Sequence, residues 1–152
     1  MDTLGPKSFT EDQLVAWGKR IGSSARPPLW IALYGPLGAG KSVLARAVCR
    51  GAGVGGHIPS PSFTLVQSYS GDRGFVVHHV DLYRLQPGDS MEPLGWDDLV
   101  GGAGLVLLEW ADRAAGLQPD DRWEIEMDYG ERPDRRRVRV RRLGAARELI
   151  EW

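Results

Sequence analysis

The sequence of 152 residues has a single cysteine, Cys49, and contains no asparagine. One cysteine cannot form a disulfide within the chain, so nothing in the sequence requires an oxidising compartment. GTPases that read guanine through an Asn-Lys-x-Asp motif need an asparagine that this chain does not have. The segment that begins at Asp81 also lacks the Asp-x-x-Gly sequence of such proteins. The two absences argue against a disulfide scaffold and against a guanine-specific GTPase.

The chain also lacks a strong net charge, a long apolar run and a basic, apolar N-terminus. Its formal charge of −1 gives no overall field that would steer it to nucleic acid or to a membrane. The apolar run at residues 29–34 is far shorter than the roughly 20 residues of a membrane-spanning helix. Residues 1–6 do not resemble a signal peptide. We therefore expect a soluble cytoplasmic protein with one domain, residues 1–152.

Two fully apolar runs predict strands that are covered on both faces, as is typical of a parallel sheet. They are residues 29–34 and 105–108. Periodicity and turn residues predict further strands at 63–69 and 75–82, and helices at 10–21, 42–50, 96–100 and 145–152. Strands that alternate with helices along a chain indicate an α/β fold.

The C-terminal region alternates strictly between apolar and charged residues. Residues 123–129 have apolar side chains on one face and three acids on the other, and Val138 and Val140 alternate with arginines. This pattern predicts two antiparallel strands joined by a turn at residues 130–134. We interpret the arginines as partners of the acids across the hairpin, at about 0.2–1 kcal/mol for each pair. Contact between these arginines and tRNA is the alternative.

A glycine-rich motif lies between the first apolar strand and the helix that follows it. Gly35, Gly40, Lys41 and Ser42 match the P-loop pattern G-x-x-x-x-G-K-[ST] in its required strand–loop–helix context. Glycines let backbone amides turn toward phosphate oxygens, and the helix N-terminus adds its positive dipole end. The motif predicts binding of ATP with Mg²⁺, and the phosphate contacts are expected from Gly38, Ala39, Gly40, Lys41, Ser42 and Val43. The fold class is thus P-loop NTPase-like: a mainly parallel core sheet flanked by helices, with antiparallel strands added at the C-terminal side.

Two acids at the ends of apolar strands are candidates for completing a Mg²⁺ site. They are Asp81 and Glu109. Ligands bind at the carboxyl ends of parallel strands, and Mg²⁺ takes only one or two protein carboxylates beside water and phosphate. We expect Ser42 and Glu109 to hold the metal, with Asp81 as the second acidic candidate. The expected catalytic residues are Lys41, Asp81 and Glu109.

Other conspicuous aromatic and basic residues have structural interpretations. Trp17, Trp30 and Trp123 are expected in the core rather than stacked on nucleic-acid bases. His78 and His79 point to opposite faces of one strand, so one of the two is expected to be packed inside.

Four blocks of sequence occur together in a characteristic order and spacing. They are residues 35–42, 60–65, 79–85 and 108–110. In this combination the chain resembles the TsaE family, the bacterial ATPases of tRNA threonylcarbamoyladenosine synthesis. The resemblance spans roughly residues 8–130, and its most specific part is Asp-Leu-Tyr-Arg-Leu from Asp81 onward, followed by Glu-Trp.

The resemblance implies roles for residues beyond the phosphate loop. It implies that Asp81 lies beside the metal and the γ-phosphate. It also implies a switch-like segment that includes Ser60, Ser62 and Thr64. The adenine is expected near Thr10, Arg132 and Arg135. Separately from the resemblance, Trp110 follows the expected metal ligand Glu109 and is expected to flank the nucleotide. Three positions depart from the family pattern. Pro36 replaces a frequent aspartate, and Ser62 and Ser42 stand where the family usually or often has threonine, although both keep a hydroxyl.

The function that the resemblance implies is ATP hydrolysis in tRNA N6-threonylcarbamoyladenosine modification. The partner proteins would be TsaB and TsaD. Because TsaD transfers the threonylcarbamoyl group, this chain would contact tRNA only indirectly, through the complex. Turnover is expected to be slow without them. Two alternatives stay open. A small-molecule P-loop kinase is one, although its candidate lid at residues 86–95 holds no arginine. A non-hydrolysing nucleotide switch that assembles partners is the other.

Overall fold

Seven strands and three α-helices make up the regular structure of the described part of the chain. The computed structural model describes residues 2–61 and 64–152. The strands are β1 (Thr3–Phe9), β2 (Leu29–Tyr34), β3 (Val66–Ser70), β4 (Val76–Asp81), β5 (Leu105–Glu109), β6 (Arg122–Tyr129) and β7 (Arg136–Leu143). The helices are α1 (Glu11–Ser24), α2 (Lys41–Gly51) and α3 (Trp96–Gly101), with short 3₁₀ helices at Glu92–Leu94 and Ala111–Ala114. No helix in the two described ranges combines the length and the apolar character needed to cross a membrane.

All seven strands form one sheet, in the order β1-β7-β6-β2-β5-β4-β3. The four central strands, β6, β2, β5 and β4, are parallel to one another. Antiparallel pairings extend the sheet at both edges, through β7 and β1 on one side and β3 on the other. The predicted α/β fold is confirmed, with its parallel core, its flanking helices and its antiparallel C-terminal hairpin.

Strand β2 is buried on both faces, which explains its uninterrupted apolar sequence. Leu29, Ile31 and Leu33 pack into the core that contains the apolar faces of α1 and α2. Trp30 and Ala32 pack into a second core on the other face, beneath α3. Since burying a large aliphatic side chain contributes about 1.5–3 kcal/mol, β2 stabilises both layers at once.

The register of the parallel strands brings two acids to one edge of the sheet. Glu109, the last residue of β5, lies opposite Leu33 of β2 and opposite Asp81 of β4. The loop that leaves β2 therefore begins beside both carboxylates. This is the edge at which ligands bind in open α/β sheets.

The C-terminal segment differs from the sequence prediction. The helix predicted at residues 145–152 is wrong, because residues 146–152 adopt neither helix nor strand. The segment lies along α1, where the indole N–H of Trp17 donates to Ile150 O at 2.9 Å. The ring of Trp152 packs edge-on against Trp17, at 5.2 Å between ring centroids. These tertiary contacts replace the hydrogen bonds that a short terminal helix would have made.

Strand β1 was not predicted from the sequence. Gly5 and Pro6 interrupt any apolar alternation within it, and its pairing with β7 shifts register between Leu4 and Lys7. Proline cannot donate to a strand ladder, so it is tolerated only at an edge, which is the position of β1 in the sheet.

Helices α1 and α2 approach closely because glycines remove side chains from their contact. The sequence predicts a helix that runs only to residue 21, but α1 continues to Ser24. A Cβ atom on Gly22 would lie 2.0 Å from Val48 O, and one on Gly51 would lie 2.1 Å from Lys19 O. Gly22 thus serves the helix contact rather than the helix end.

We expect Gly22→Ala to destabilise the protein. Its methyl group would collide with the backbone of α2. Overpacking of this kind costs about 1–3 kcal/mol, more than the helix propensity that alanine adds. Urea unfolding measures the change. Gly101→Ala is the matched control, since a Cβ atom there meets nothing within 4 Å, and an equal loss in both variants would contradict the helix-contact explanation.

The acids of β6 pair with arginines of β7, as the alternating pattern predicts. Glu124 accepts from Arg141 at 2.6 Å, and Glu126 accepts from Arg139 at 2.6 Å. The two pairs differ in exposure, because the Glu124 side chain is 9% exposed and the Glu126 side chain 44%. Burial alone would raise the pKa of Glu124, but hydrogen bonds from Arg141, Arg122 and Tyr34 hold it below its ordinary value.

We expect Glu124→Gln to lower the free energy of unfolding by about 2–3 kcal/mol at pH 7, because three donors lose the buried charged acceptor that they share. The matched change Glu126→Gln should cost less than about 1 kcal/mol in its exposed setting. A carboxyl with a lowered native pKa stabilises the fold above its ordinary pKa and loses that contribution as the pH falls. The difference between wild type and Glu124→Gln should therefore shrink as the pH falls below 4.5, the ordinary pKa of a glutamate. A pH-independent difference would contradict the ionic origin.

Candidate functional site

A cavity of about 470 Å³ lies at the carboxyl ends of the central strands. The structure brings together there most of the residues that the sequence singles out. Those in its wall are Gly38, Ala39, Gly40, Lys41, Ser42, Val43, Ser60, Asp81, Glu109 and Trp110.

The glycine-rich loop, residues 35–42, joins β2 directly to α2. Gly35, Gly38 and Gly40 all have positive φ, a region that side-chain-bearing residues rarely adopt. At Gly35 a Cβ atom would also lie 2.2 Å from Met127 O of the neighbouring strand. No side chain caps the N-terminus of α2 at Gly40. The first N–H groups of α2 are thus directed at the cavity, where they suit an anion.

Lys41, the first residue of α2, is buried and makes contacts inside the loop. Its Nζ donates to Pro36 O at 3.1 Å and also to Gly35 O. The same ammonium lies 3.7 Å from the centroid of the Trp110 ring, within cation–π range. Two carbonyls and an aromatic face thus support a positive charge that is only 5% exposed.

Burial and neighbouring acids act in opposite directions on Lys41. Burial lowers the pKa of Lys41 below its ordinary value, while the negative charges of Glu109, Asp112 and Asp81 act to raise it. The three acids thus favour the charged form of the lysine, which is the form that a phosphate would attract.

Glu109 is held at both of its carboxylate oxygens. Oε1 accepts from Ser42 Oγ at 2.7 Å, and Oε2 lies 2.5 Å from Nε2 of His79. The residue is 2% exposed. A buried carboxylate with a donor at each oxygen has a single orientation, here directed at the first turn of α2.

Asp81 lies opposite Glu109 on the neighbouring strand and is also buried, at 4% exposed. Its Oδ1 accepts from the backbone N–H of Tyr83 at 2.9 Å. Burial raises the pKa of Asp81, and this effect outweighs the Tyr83 hydrogen bond, which lowers it; the charge of Glu109 raises it further. Burial therefore makes the charged form of Asp81 less favourable than it would be in water.

The donor set fits Mg²⁺ better than a metal bound by protein alone. Within residues 2–61 and 64–152, no three His, Cys, Asp or Glu side chains converge as a metal-binding group. Mg²⁺ keeps several waters and needs only one or two hard protein oxygens beside phosphate. The Ser42 hydroxyl and the Glu109 carboxylate, 2.7 Å apart, are such a pair.

Trp110 has an unusual backbone conformation at the cavity wall. Its φ is 57°, and it is one of two non-glycine residues with positive φ in the described part of the chain. The other is Leu65, whose carbonyl accepts from Asp81 N at 2.9 Å. Such conformations cost about 1–3 kcal/mol and concentrate at functional sites.

The predicted switch residues are separated by the structure. Ser60 lines the cavity. Thr64 does not, and its hydroxyl accepts from Gln67 Nε2 at 2.9 Å. Ser62 lies outside the described residues.

The three residues predicted near adenine lie next to the cavity wall rather than in it. The Thr10 side chain caps α1 by accepting from Gln13 N. Arg132 pairs with Asp134 at 3.7 Å, and Arg135 Nε is buried with no hydrogen-bond partner among the described residues. The neighbours that do line the cavity are Glu11, Leu14, Pro133, Asp134 and Arg136.

Two residues of the C-terminal hairpin contact the loop, which the sequence analysis missed. Tyr129 OH donates to Leu37 O at 2.5 Å, and Arg136 Nε donates to Gly38 O at 3.1 Å. No local signal indicates these contacts, because they join positions more than 90 residues apart. His79 was also missed as a neighbour of Glu109, although its alternation with Asp81 puts both on one face.

Comparison with known proteins gives consistent matches. The family model "Threonylcarbamoyl adenosine biosynthesis protein TsaE" matches residues 8–138. A relative from Haemophilus influenzae, named tRNA threonylcarbamoyladenosine biosynthesis protein TsaE, is 35% identical over 85% of this chain and 84% of its own. A Streptomyces coelicolor protein of the same name is 35% identical over 84% of this chain and 88% of its own. The crystal structure of YdiB from Bacillus subtilis matches with a TM-score of 0.74 and 25% identity, over 91% of this chain and 87% of that one.

We expect Arg136→Ala to loosen the glycine-rich loop. Losing a hydrogen bond from a charged donor should speed hydrogen exchange of the loop amides by about tenfold. Exchange at Gly38 and Ala39, followed by mass spectrometry or NMR, measures this. Arg137→Ala is the matched control, because its exposed side chain points to the opposite face of β7. Equal exchange in both variants would mean that the hairpin does not restrain the loop.

Proposed function

The chain belongs to the TsaE family, and we propose that it is the ATP-hydrolysing component of tRNA N6-threonylcarbamoyladenosine modification. The observation that carries this proposal is the juxtaposition of three features at one cavity. They are a glycine-rich loop at an uncapped helix N-terminus, a buried lysine, and a serine–glutamate pair. This combination is typical of P-loops, which bind the phosphates and the Mg²⁺ of a nucleotide.

ATP binding is supported by the loop and the start of α2. Its phosphates would accept from backbone N–H groups of residues 38–43 and from Nζ of Lys41. The rest of the nucleotide would extend toward α1 and the hairpin, where Leu14 and Pro133 provide apolar wall and Arg136 a charge.

Hydrolysis would depend mainly on electrostatic positioning. Lys41 would offset negative charge on the transferred phosphoryl group. Mg²⁺, held by Ser42 and Glu109, would supply further charge neutralisation when bound. Asp81 would orient water near the γ-phosphate, helped by its fixed bond to Tyr83 N. Ser60 is the described member of the proposed switch that faces this cavity.

TsaB and TsaD are the proposed partners, by family resemblance, and tRNA would be met through their complex in the cytoplasm. The near-neutral charge of the chain supports indirect rather than direct tRNA binding, because phosphate contacts dominate such affinity. The arginines of β7 support the same view, since Arg139 and Arg141 are paired with acids of β6.

We expect Lys41→Ala to leave the fold intact and to lower ATP turnover by about 10²–10³-fold, the typical cost of one such electrostatic contact. Turnover is measured with and without TsaB and TsaD, and wild type should be slow alone and faster with the pair. Lys19→Ala, on the exposed face of α1, is the control for removing a lysine.

Near wild-type turnover in a folded Lys41→Ala variant, with the partners present, would contradict the proposal. ATP binding without turnover in wild type, even with the partners, would favour a non-hydrolysing assembly switch. Transfer of phosphate to a small molecule would favour a kinase.

A further inference from the structure

His79 is a fully buried polar residue that contacts a site residue without lining the cavity. It lies on β4 at 0% exposure. Strand alternation puts it on the same face as Val77 and Asp81, the face toward α2. Its Nε2 lies 2.5 Å from Oε2 of Glu109 on the next strand.

Packing alone does not account for a histidine at this position. No hydrogen-bond partner for Nδ1 of His79 lies within residues 2–61 and 64–152, although the atom is buried. A buried polar atom without a partner is unfavourable, so an aliphatic residue like the neighbouring Val77 and Val80 would fill the space at less cost. What histidine adds, and an aliphatic residue lacks, is the donor to Glu109.

The contact determines which way the Glu109 carboxylate is turned. Ser42 occupies one oxygen and His79 the other. The charges of Glu109 and Lys41 attract each other, so a Glu109 released at Oε2 could rotate toward the lysine. Such a rotation would remove the carboxylate from Ser42, the hydroxyl with which it would hold the metal.

We propose that His79 is a positioning residue that orients Glu109 for Mg²⁺. By donating from Nε2 to Oε2, it leaves Oε1 beside Ser42, where the metal of the bound nucleotide would be held. Donation requires the proton on Nε2, which leaves Nδ1 as an acceptor in the neutral ring. The inference rests on the proposed function, because it concerns the metal that accompanies ATP.

The test compares two nearly isosteric substitutions that differ in one donor. His79→Gln keeps an N–H that can reach Oε2, whereas His79→Met fills similar space without one. Calorimetry with a non-hydrolysable ATP analogue gives the Mg²⁺ concentration at half-saturation and the affinity of the analogue without metal. Partners that orient metal ligands are typically worth 10–100-fold in metal affinity. We expect a weakening of that size in His79→Met, a change below about threefold in His79→Gln, and unchanged metal-free binding in both.

His78→Met is the matched control on the other face of the same strand. Nδ1 of His78 lies 2.7 Å from Ser68 Oγ, away from the cavity, so its loss should leave Mg²⁺ affinity unchanged. Thermal unfolding verifies that each variant is folded. Wild-type Mg²⁺ affinity in His79→Met would overturn the proposal. Equal losses in His79→Met and His79→Gln would also overturn it, because packing would then explain both.

A measurement on the wild-type protein tests whether His79 donates to Glu109 even if His79→Met does not fold. Nitrogen-15 NMR of the imidazole should show the proton on Nε2, with a resonance that shifts in Glu109→Gln. A proton on Nδ1 instead would overturn the proposal. If wild type shows no Mg²⁺-dependent binding of the analogue, the proposed function itself is wrong. If wild type binds but His79→Met matches it, only the role of His79 fails.

Discussion

The pairing of β2 with a parallel strand on each of its edges is the constraint on which the site depends. Through β5 it brings Glu109 level with Leu33, and through β6 it places Glu126 level with Tyr34. Because the glycine-rich loop begins where β2 ends, these registers determine what surrounds the loop. An acid lies on one side of it. On the other side lies a hairpin whose Tyr129 and Arg136 bind the loop carbonyls.

The same strand pairing places three charged side chains where they have little exposure to solvent. Lys41, Asp81 and Glu109 are 5%, 4% and 2% exposed. Buried charges are tolerated only when donors and acceptors surround them. Here the lysine takes two carbonyls and an aromatic face, and the glutamate takes a hydroxyl and an imidazole. The low-dielectric setting that makes these groups costly also strengthens their action on a phosphoryl group.

Features that depend on local pattern could be predicted from the sequence. Strand β2 and the hairpin follow from hydrophobic periodicity, and the loop follows from a motif in its required context. Features that depend on distant neighbours could not. Thr10 and Arg135 were expected near adenine, and it is their chain neighbours Glu11 and Arg136 that line the cavity. In a helix start or a hairpin a shift of one residue changes the face on which a side chain lies, and only tertiary packing fixes that choice.

For His79, the strand face can be predicted from the local sequence, but the contact with Glu109 cannot. Its alternation with Asp81 specifies the face of β4 on which it lies, and that much is local. Its partner lies on β5, and the register between parallel strands is set by a crossover whose geometry no short motif encodes. A polar residue two positions before an acid that ends an apolar strand lies on the same buried face as that acid. Such a residue can reach the acid that ends the adjacent parallel strand, because parallel registers bring both strand ends to one edge. Polar residues at this spacing are therefore candidates for orienting a ligand, even where the sequence alone favours a packed core residue.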